Sequence, residues 1–295
     1  MLMLTSETPR LVFKAMRPLQ WTKNSIVFAG LIFGGKMFHF FPTLRALFAF
    51  LLFCILSGCV YLVNDITDRH RDSIHPEKRN RPIASGRLSV TEATWAAILL
   101  GSIACLASLF LGRNFFLCSL GYLLLMFFYS FSLKRMIILD ALVISAGFVL
   151  RAAAGAFSVE VEISSWLLAC TVVGSCFLAF CKRRAEMDLL DKEAIHHRES
   201  LSEYNIDMLD QLTTVCCSAT AVCYLLYALS PETTEKFHSN LFFITFFPVL
   251  YGLLRYLVLS RKSTEVGRPE KVLLTDVPLI VAVLSWVILV LFIVY

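Results

Sequence analysis

Three aspartates near residue 70 are the residues whose types and spacing most directly suggest chemistry. Asp65, Asp68 and Asp72 occur in the segment Tyr61-Leu-Val-Asn-Asp-Ile-Thr-Asp-Arg-His-Arg-Asp72, at intervals of three and four residues. On a helix, residues at these intervals share one face. Adjacent carboxylates repel one another unless a cation lies between them. Mg²⁺ suits such a cluster, because it usually takes one or two carboxylates, keeps waters and bridges to substrate phosphates.

A basic loop follows the aspartates directly. Its sequence is Ser73-Ile-His-Pro-Glu-Lys-Arg-Asn-Arg-Pro-Ile-Ala-Ser-Gly-Arg87, and its prolines and glycine predict a shaped loop and not a continued helix. The cations in this loop are Lys78, Arg79, Arg81 and Arg87. Arginine forks match phosphate oxygens, and lysine adds point charge. Carboxylates for a metal and cations for phosphate in one short stretch therefore favour a magnesium–diphosphate site.

Each half of this site has a simpler alternative. The aspartates could form a solvated helix end in which Arg69 and Arg71 are local ion-pair partners. The basic loop could reflect membrane topology or attraction to anionic lipid. Spacing alone leaves both alternatives open.

The elements that must position these residues are membrane-spanning helices. Of the 295 residues, 58% are hydrophobic and 17% charged, whereas soluble domains are about 45–50% apolar and about 25% charged. Runs long enough to cross about 30 Å of hydrocarbon predict nine spans. They lie near 24–41, 44–64, 91–112, 114–132, 138–157, 163–182, 212–229, 238–259 and 276–295. We expect one polytopic domain over residues 1–295.

The basic residues predict the orientation of the spans. Alternate loops hold 22 of the 27 lysines and arginines, beginning with four in the amino-terminal segment. The positive-inside rule then places the amino terminus in the cytoplasm and, after nine spans, the carboxyl terminus outside. Despite a net charge of +5, no aromatic–basic nucleic-acid module is visible, so no nucleic-acid partner is predicted.

Three motifs resemble those of the UbiA superfamily of intramembrane prenyltransferases. The pattern Asn64-Asp65-x-x-Asp68-x-x-x-Asp72, followed by His-Pro-x-Lys-Arg-x-Arg-Pro-Ile, is similar to the first aspartate-rich motif of that family. Residues 14–24 and the segment Tyr129-Ser-Phe-Ser-Leu-Lys134 resemble it at the expected places. The resemblance runs essentially from end to end of the chain.

The second aspartate-rich motif of the family is replaced by a different sequence in this chain. Where most members carry another DxxxD, this chain reads Cys181-Lys-Arg-Arg-Ala-Glu186-Met-Asp. Lys-Arg-x-Ala-Glu is similar to the branch of decaprenyl-phosphate phosphoribosyltransferases. Residues 139–155 and the segment Gly267-Arg-Pro-Glu270 resemble that branch as well.

The resemblance implies an all-helical membrane protein of about nine transmembrane helices, around a cavity open to the cytoplasm and laterally to lipid. It implies Mg²⁺-dependent transfer of 5-phosphoribosyl from phosphoribosyl diphosphate to a polyprenyl phosphate, for cell-envelope precursor synthesis. Asp65, Asp68 and Asp72 would be the catalytic and metal-binding residues. The substrate-binding residues would be Lys23, Asn64, Lys78, Arg79, Tyr129, Lys134, Lys182, Arg183 and Glu186.

Other functions and roles remain open at this level. The same first motif would serve an enzyme that moves an isoprenyl chain from its diphosphate to an aromatic acceptor, and a transporter would also have many spans. Lys182, Arg183 and Arg184 could be a snorkelling positive-inside cluster. Arg151, inside an apolar span, is predicted to be a structural partner between helices. An oligomer is possible.

Overall fold

Helices make up nearly all of the secondary structure, and no strand occurs among the described residues. The computed structural model describes residues 7–76, 78–190, 203–262, 272 and 275–295. The α-helices are α1 (Thr8–Ala15), α2 (Ala29–Phe33), α3 (Phe40–Thr67), α4 (Arg69–Ile74), α5 (Val90–Ala107), α6 (Arg113–Phe131), α7 (Leu139–Ser158), α8 (Ser165–Leu190), α9 (Ile206–Leu229), α10 (Pro231–Phe237), α11 (Phe246–Lys262) and α12 (Val277–Val294). The 3₁₀ segments are Pro18–Phe28, Lys78–Asn80, Ser108–Leu111, Leu133–Arg135 and Asn240–Thr245.

Eight helical segments of the described chain are long and apolar enough to cross a membrane. They confirm the predicted spans from the second to the ninth, and most observed bounds differ from the predicted ones by a few residues. The largest difference concerns α8 and α9, which extend beyond the predicted apolar runs toward the charged loop between them.

Several helices begin where their sequences supply a cap. Ser89 and Glu92 form a capping box at the start of α5, in which each side chain accepts from the other residue's backbone N–H. The Asn205 side chain accepts from Met208 N–H at the start of α9, and Asp276 accepts from Leu279 N–H at the start of α12. These bonds satisfy backbone donors that a helix start leaves unpaired.

The first pass differs in conformation from the predicted span at 24–41. It consists of the 3₁₀ segment Pro18–Phe28 followed by the five-residue helix α2. A 3₁₀ helix rises about 2.0 Å per residue and an α-helix 1.5 Å, so if straight these 16 residues would cover about 30 Å. The segment is therefore long enough for a crossing without being a long α-helix.

Contacts at the two ends of this segment show that it runs from one end of α3 to the other. Arg17, just before the 3₁₀ segment, pairs with Asp65 near the end of α3. Lys36, just after α2, donates from Nζ to the carbonyl of Glu160 at 3.2 Å, and Glu160 pairs with Arg45 near the start of α3 at 2.7 Å. The chain thus runs antiparallel to α3 over its length. With the eight long helices, the described chain has nine segments that are long enough for a crossing.

Close packing explains why this pass sits where it does. A Cβ atom on Gly30 would lie 2.6 Å from the Cα atom of Ala156 on α7, and one on Gly155 would overlap the carbonyl oxygen of Val27. Only glycine allows such an approach, a device common where helices pack in membranes. These two glycines allow the 3₁₀ segment to pack directly against α7.

The chain forms two compact units. The first comprises Met1–Lys134 and Leu150–Val161, and the second Arg135–Val149 and Glu162–Tyr295. Buried apolar side chains fill each unit, such as Leu62, Ile83 and Leu88 in the first. The single polytopic domain stays a prediction.

Candidate active site

The carboxylate cluster lies in the first unit, at the end of α3. Asp65 belongs to α3, Asp68 occupies the break after Thr67, and Asp72 belongs to the short helix α4. The expected single helix is thus interrupted at Asp68. Asp65 and Asp72 still lie together, because one nitrogen of Arg81, Nη1, donates to Asp65 Oδ1 at 3.2 Å and Asp72 Oδ2 at 2.5 Å.

Arg17 is a second cation on Asp65. Its Nη2 donates to Asp65 Oδ1, and its guanidinium carbon lies 4.7 Å from the centre of the Tyr61 ring. The Arg17 backbone is left-handed, with φ of 54° and ψ of 68°. This conformation is uncommon for a residue other than glycine and costs on the order of 1–3 kcal/mol. The chain turns there from α1 into the first pass, which brings the guanidinium onto the aspartate.

Lys134 supplies the cation for Asp68. Its Nζ donates to Asp68 Oδ1 at 2.6 Å, and to Asn64 Oδ1 and Thr67 Oγ1 at 3.3 Å each. The structure therefore brings together five of the predicted site residues, namely Asn64, Asp65, Asp68, Asp72 and Lys134. In two of the contacts with these acids the cation comes from a distant segment, since Arg17 lies 48 residues from Asp65 and Lys134 lies 66 from Asp68.

Four other predicted residues of this unit lie on the neighbouring elements. Lys78 and Arg79 belong to the 3₁₀ turn Lys78–Asn80, where Lys78 is half-buried and Arg79 exposed. Lys23 is half-buried in the first pass, and Tyr129 is half-buried near the end of α6. Their predicted contacts with substrate stay predictions.

The chemistry of the carboxylates fits a hard divalent cation. Asp65 and Asp72 both bind Arg81, and the second oxygen of Asp65, Oδ2, is buried and accepts no hydrogen bond. That oxygen could therefore bind a metal. Within the described chain, no three acidic, histidine or cysteine side chains converge as a metal site, and Asp68 is paired with Lys134. Mg²⁺ commonly takes only one or two carboxylates, and Asp65 with Asp72 would be sufficient.

The predicted basic motif lies on α8, in the second unit. Arg183 is 1% exposed, and its Nε donates to Asp140 Oδ2 at 2.7 Å while Nη1 donates to Glu186 Oε2 at 3.0 Å. Asp140 is fully buried and also accepts from the Tyr204 hydroxyl at 3.1 Å. Arg183 was predicted to bind substrate, and that contact stays a prediction; in the structure its guanidinium pairs with two acids.

The two basic neighbours of Arg183 differ in exposure. Lys182 is 42% exposed, with its Nζ 4.0 Å from Glu186 Oε1. Arg184 is buried and links three helices, through Asp210 on α9 at 2.7 Å and the Ser260 carbonyl on α11 at 2.9 Å. Only Lys182 therefore resembles the snorkelling side chain that the alternative interpretation requires.

Arg151 confirms its predicted structural role. Its Nε donates to Asn24 Oδ1 at 2.8 Å and its Nη2 to the Tyr122 hydroxyl at 2.7 Å, with the guanidinium over the Tyr122 ring. It thus links α7 to the first pass and to α6. The remaining resemblance, at Gly267–Glu270, lies outside the described residues.

Sequence reasoning missed three residues of these clusters, Arg17, Asp140 and Tyr204; it named Arg81 among the cations of the basic loop but not among the substrate-binding residues. Arg17, Arg81 and Asp140 stand within segments that resemble the family, and this signal could have added them to the predicted site. No feature of the sequence marks Tyr204, because its partners lie 64 and 66 residues earlier in the chain.

Comparison with known sequences gives a consistent result. The sequence model of the UbiA prenyltransferase family matches residues 25–274. The decaprenyl-phosphate phosphoribosyltransferase of Mycolicibacterium smegmatis is 32% identical over 286 residues, covering 94% of this chain and 90% of its own. The enzyme of that name from Corynebacterium glutamicum is 34% identical over 290 residues, covering 96% of this chain and 86% of its own.

Solved structures agree at the level of fold. A UbiA homologue from Archaeoglobus fulgidus, bound to DMAPP and Mg²⁺, superposes with a TM-score of 0.71 over 96% of this chain and 99% of its own. Its sequence identity is 16%, so the likeness concerns the fold alone.

Proposed function

Since the chain belongs to the UbiA prenyltransferase family, we propose that it transfers 5-phosphoribosyl from phosphoribosyl diphosphate to a polyprenyl phosphate. The chain is a transferase of that family, and the proposal concerns its substrates. The observation that carries it is the identity, over nearly the whole chain, with relatives named decaprenyl-phosphate phosphoribosyltransferase. The Lys182-Arg183 motif, in place of a second aspartate pair, supports the same substrates.

The reaction is a displacement at the anomeric carbon of ribose. A C–O bond to the diphosphate breaks, and one to an oxygen of the lipid phosphate forms. The lipid phosphate is already ionised at neutral pH, so the enzyme needs neither a strong general base nor a covalent intermediate. The barrier lies in departure of diphosphate and in the positive charge that develops on the sugar.

The carboxylate cluster supports the departure of diphosphate. Asp65 and Asp72 are the residues that would hold Mg²⁺, which when bound would neutralise charge on the leaving group, and Asp68 is assigned to the same cluster beside them. Arg17 and Arg81 are each about a quarter exposed, so either can exchange a carboxylate oxygen for a diphosphate oxygen. Lys78 and Arg79 are assigned to the same leaving group, and Asn64 and Lys134 orient Asp68.

The anionic groups outside the diphosphate need cations of their own. The ribose 5-phosphate and the lipid phosphate are two separate anions, and Lys182 is the exposed cation of the α8 motif. Lys23 and Tyr129 are assigned to substrate binding. The polyprenyl tail lies against apolar helix surfaces, which this chain exposes widely.

We assign the aspartates and the amino terminus to the cytoplasmic side of a cell membrane. Phosphoribosyl diphosphate, a water-soluble donor, would reach the site from that side. The positive-inside distribution supports this orientation. In the first unit, Arg17 and Asp65 lie at the end opposite to Lys36 and Glu160. Reporter fusions at residues 85, 160 and 295 should read inside, outside and outside. A cytoplasmic reading at 295 would contradict the assigned orientation of the carboxyl terminus.

A two-donor assay tests the substrates. Purified protein is incubated with Mg²⁺ and either phosphoribosyl diphosphate with polyprenyl phosphate, or a prenyl diphosphate with an aromatic acceptor, and lipid masses are measured. We expect a phosphoribosylated lipid in the first reaction, lost when a chelator removes Mg²⁺. Prenylated acceptor without phosphoribosylated lipid would overturn the proposal and leave only membership of the family.

A further inference from the structure

The start of α7 contains a strained residue that is held by a single side chain. Ile138 has φ of 65°, an outlier for a β-branched residue. Its backbone N–H donates to the Tyr204 hydroxyl at 2.7 Å, and its carbonyl accepts from Leu142 N–H in the first turn of α7. Such strain persists only where the surroundings enforce it, and it recurs at functional sites.

The same hydroxyl continues the chain of hydrogen bonds. Burial raises the pKa of Tyr204 to about 12, so the hydroxyl keeps its proton at neutral pH. It therefore accepts from Ile138 and donates to Asp140 Oδ1 at 3.1 Å. The other oxygen of Asp140 accepts from Arg183 Nε at 2.7 Å, which fixes the orientation of the guanidinium plane.

Glu186 is the outermost member of this network. Arg183 Nη1 donates to Glu186 Oε2 at 3.0 Å, and Lys182 Nζ lies 4.0 Å from Oε1. The side chain of Glu186 is 25% exposed, whereas those of Arg183 and Asp140 are 1% and 0% exposed. Arg183 is therefore placed to act through Glu186, whose carboxylate is the acidic group of the network that a ligand can reach.

We propose that Tyr204 and Asp140 are positioning residues for the sugar donor: they fix Arg183, which holds Glu186 to accept hydrogen bonds from the ribose hydroxyls. This inference rests on the proposed function, since a ribosyl donor presents two neighbouring hydroxyls and a prenyl diphosphate presents none. It also changes the role of Arg183 from phosphate ligand to support for Glu186. A carboxylate held by charge-assisted bonds is a strong acceptor for hydroxyl donors.

The test measures donor affinity in Tyr204→Phe and in a matched control. Calorimetric titration with phosphoribosyl diphosphate and Mg²⁺ should show a Kd about tenfold higher, as expected when a charged hydrogen bond is misaligned. The KM for polyprenyl phosphate should change less than about twofold. Tyr224→Phe removes another buried hydroxyl of the same unit, bonded to Thr245 at 2.8 Å and Trp286 at 2.7 Å, and should leave both constants unchanged.

A double substitution separates positioning from simple stabilisation. If Tyr204 acts through Glu186, adding Tyr204→Phe to Glu186→Gln should change the donor Kd less than about twofold further. Additive effects, or equal donor Kd values for Tyr204→Phe and Tyr224→Phe, would overturn the inference while leaving the proposed function intact. Wild-type protein that neither binds the donor nor makes the phosphoribosylated lipid would overturn both.

Discussion

The two charged clusters of this chain compensate their charges in different ways. In the first unit, buried acids meet cations that remain partly accessible, since Arg17 and Arg81 are 24% and 25% exposed. In the second unit, the central ion pair is fully buried, since the side chains of Arg183 and Asp140 are 1% and 0% exposed. A partly accessible cation can move to a ligand anion when a bound metal takes its place at the acid, whereas a fully buried pair cannot separate without leaving an unpaired buried charge. The first cluster is thus suited to exchange partners with a ligand, and the second to hold a fixed geometry.

The largest effect is expected when the buried ion pair between Arg183 and Asp140 is broken. Asp140→Ala leaves the Arg183 guanidinium buried beside a cavity and should lower the free energy of unfolding by about 3–5 kcal/mol. Denaturant titration of the protein in detergent micelles measures this change. A loss below about 1 kcal/mol would mean that water reaches Arg183 and that the two clusters do not differ as described.

The accessible cluster should respond in activity and not in stability. Asp68→Asn or Asp72→Asn should lower turnover by on the order of 10²-fold or more, because an electrostatic clamp on the leaving group is lost. In the Asp72 variant, asparagine still offers an oxygen to Arg81, and Arg81, which is 25% exposed, keeps its contact with Asp65, so the free energy of unfolding should change by about 1 kcal/mol or less. Mass measurement of the lipid product and the same denaturant titration provide both readings. Near wild-type turnover in both variants would remove these aspartates from the catalytic machinery.

A packing substitution tests how the first cluster depends on the first pass. Gly155→Ala places a methyl group against the Val27 backbone and should cost about 1–3 kcal/mol of stability. Because displacement of this pass would also shift Arg17, turnover should fall together with stability. Gly121→Ala, where a Cβ would lie 4.0 Å from Leu150, is the matched control and should change neither. Equal behaviour of both variants would show that the close approach at Gly155 is unimportant.

The smallest effect is expected for an exposed ion pair. Arg45 and Glu160 are 39% and 72% exposed, so Glu160→Gln should change the free energy of unfolding by less than about 1 kcal/mol. The same denaturant titration, repeated at high salt, should show no additional loss. A larger loss would indicate that exposure alone does not separate fixed from exchangeable pairs in this chain.

Most of the fold could be predicted from local composition. Apolar runs of about 20 residues predict their own spans, because a helix satisfies its backbone within the segment. Eight predicted spans agree with long helices in the described chain. The first pass agrees in position but not in conformation: it contains a 3₁₀ segment in backbone contact with α7, and hydropathy does not encode such a contact.

The sequence by itself determined the aspartate cluster, the basic motifs and the residues that resemble the family, because these features are short and contiguous. Only the tertiary structure decided which charged side chains form ion pairs with each other. Arg17 reaches Asp65 across 48 residues and Arg183 reaches Asp140 across 43, and such pairing depends on how helices pack. Burial followed from the same packing, and it separated Arg183 from the exposed Lys182 beside it. Adjacent residues of one motif thus differ in role, because a helix turns successive side chains toward different surroundings.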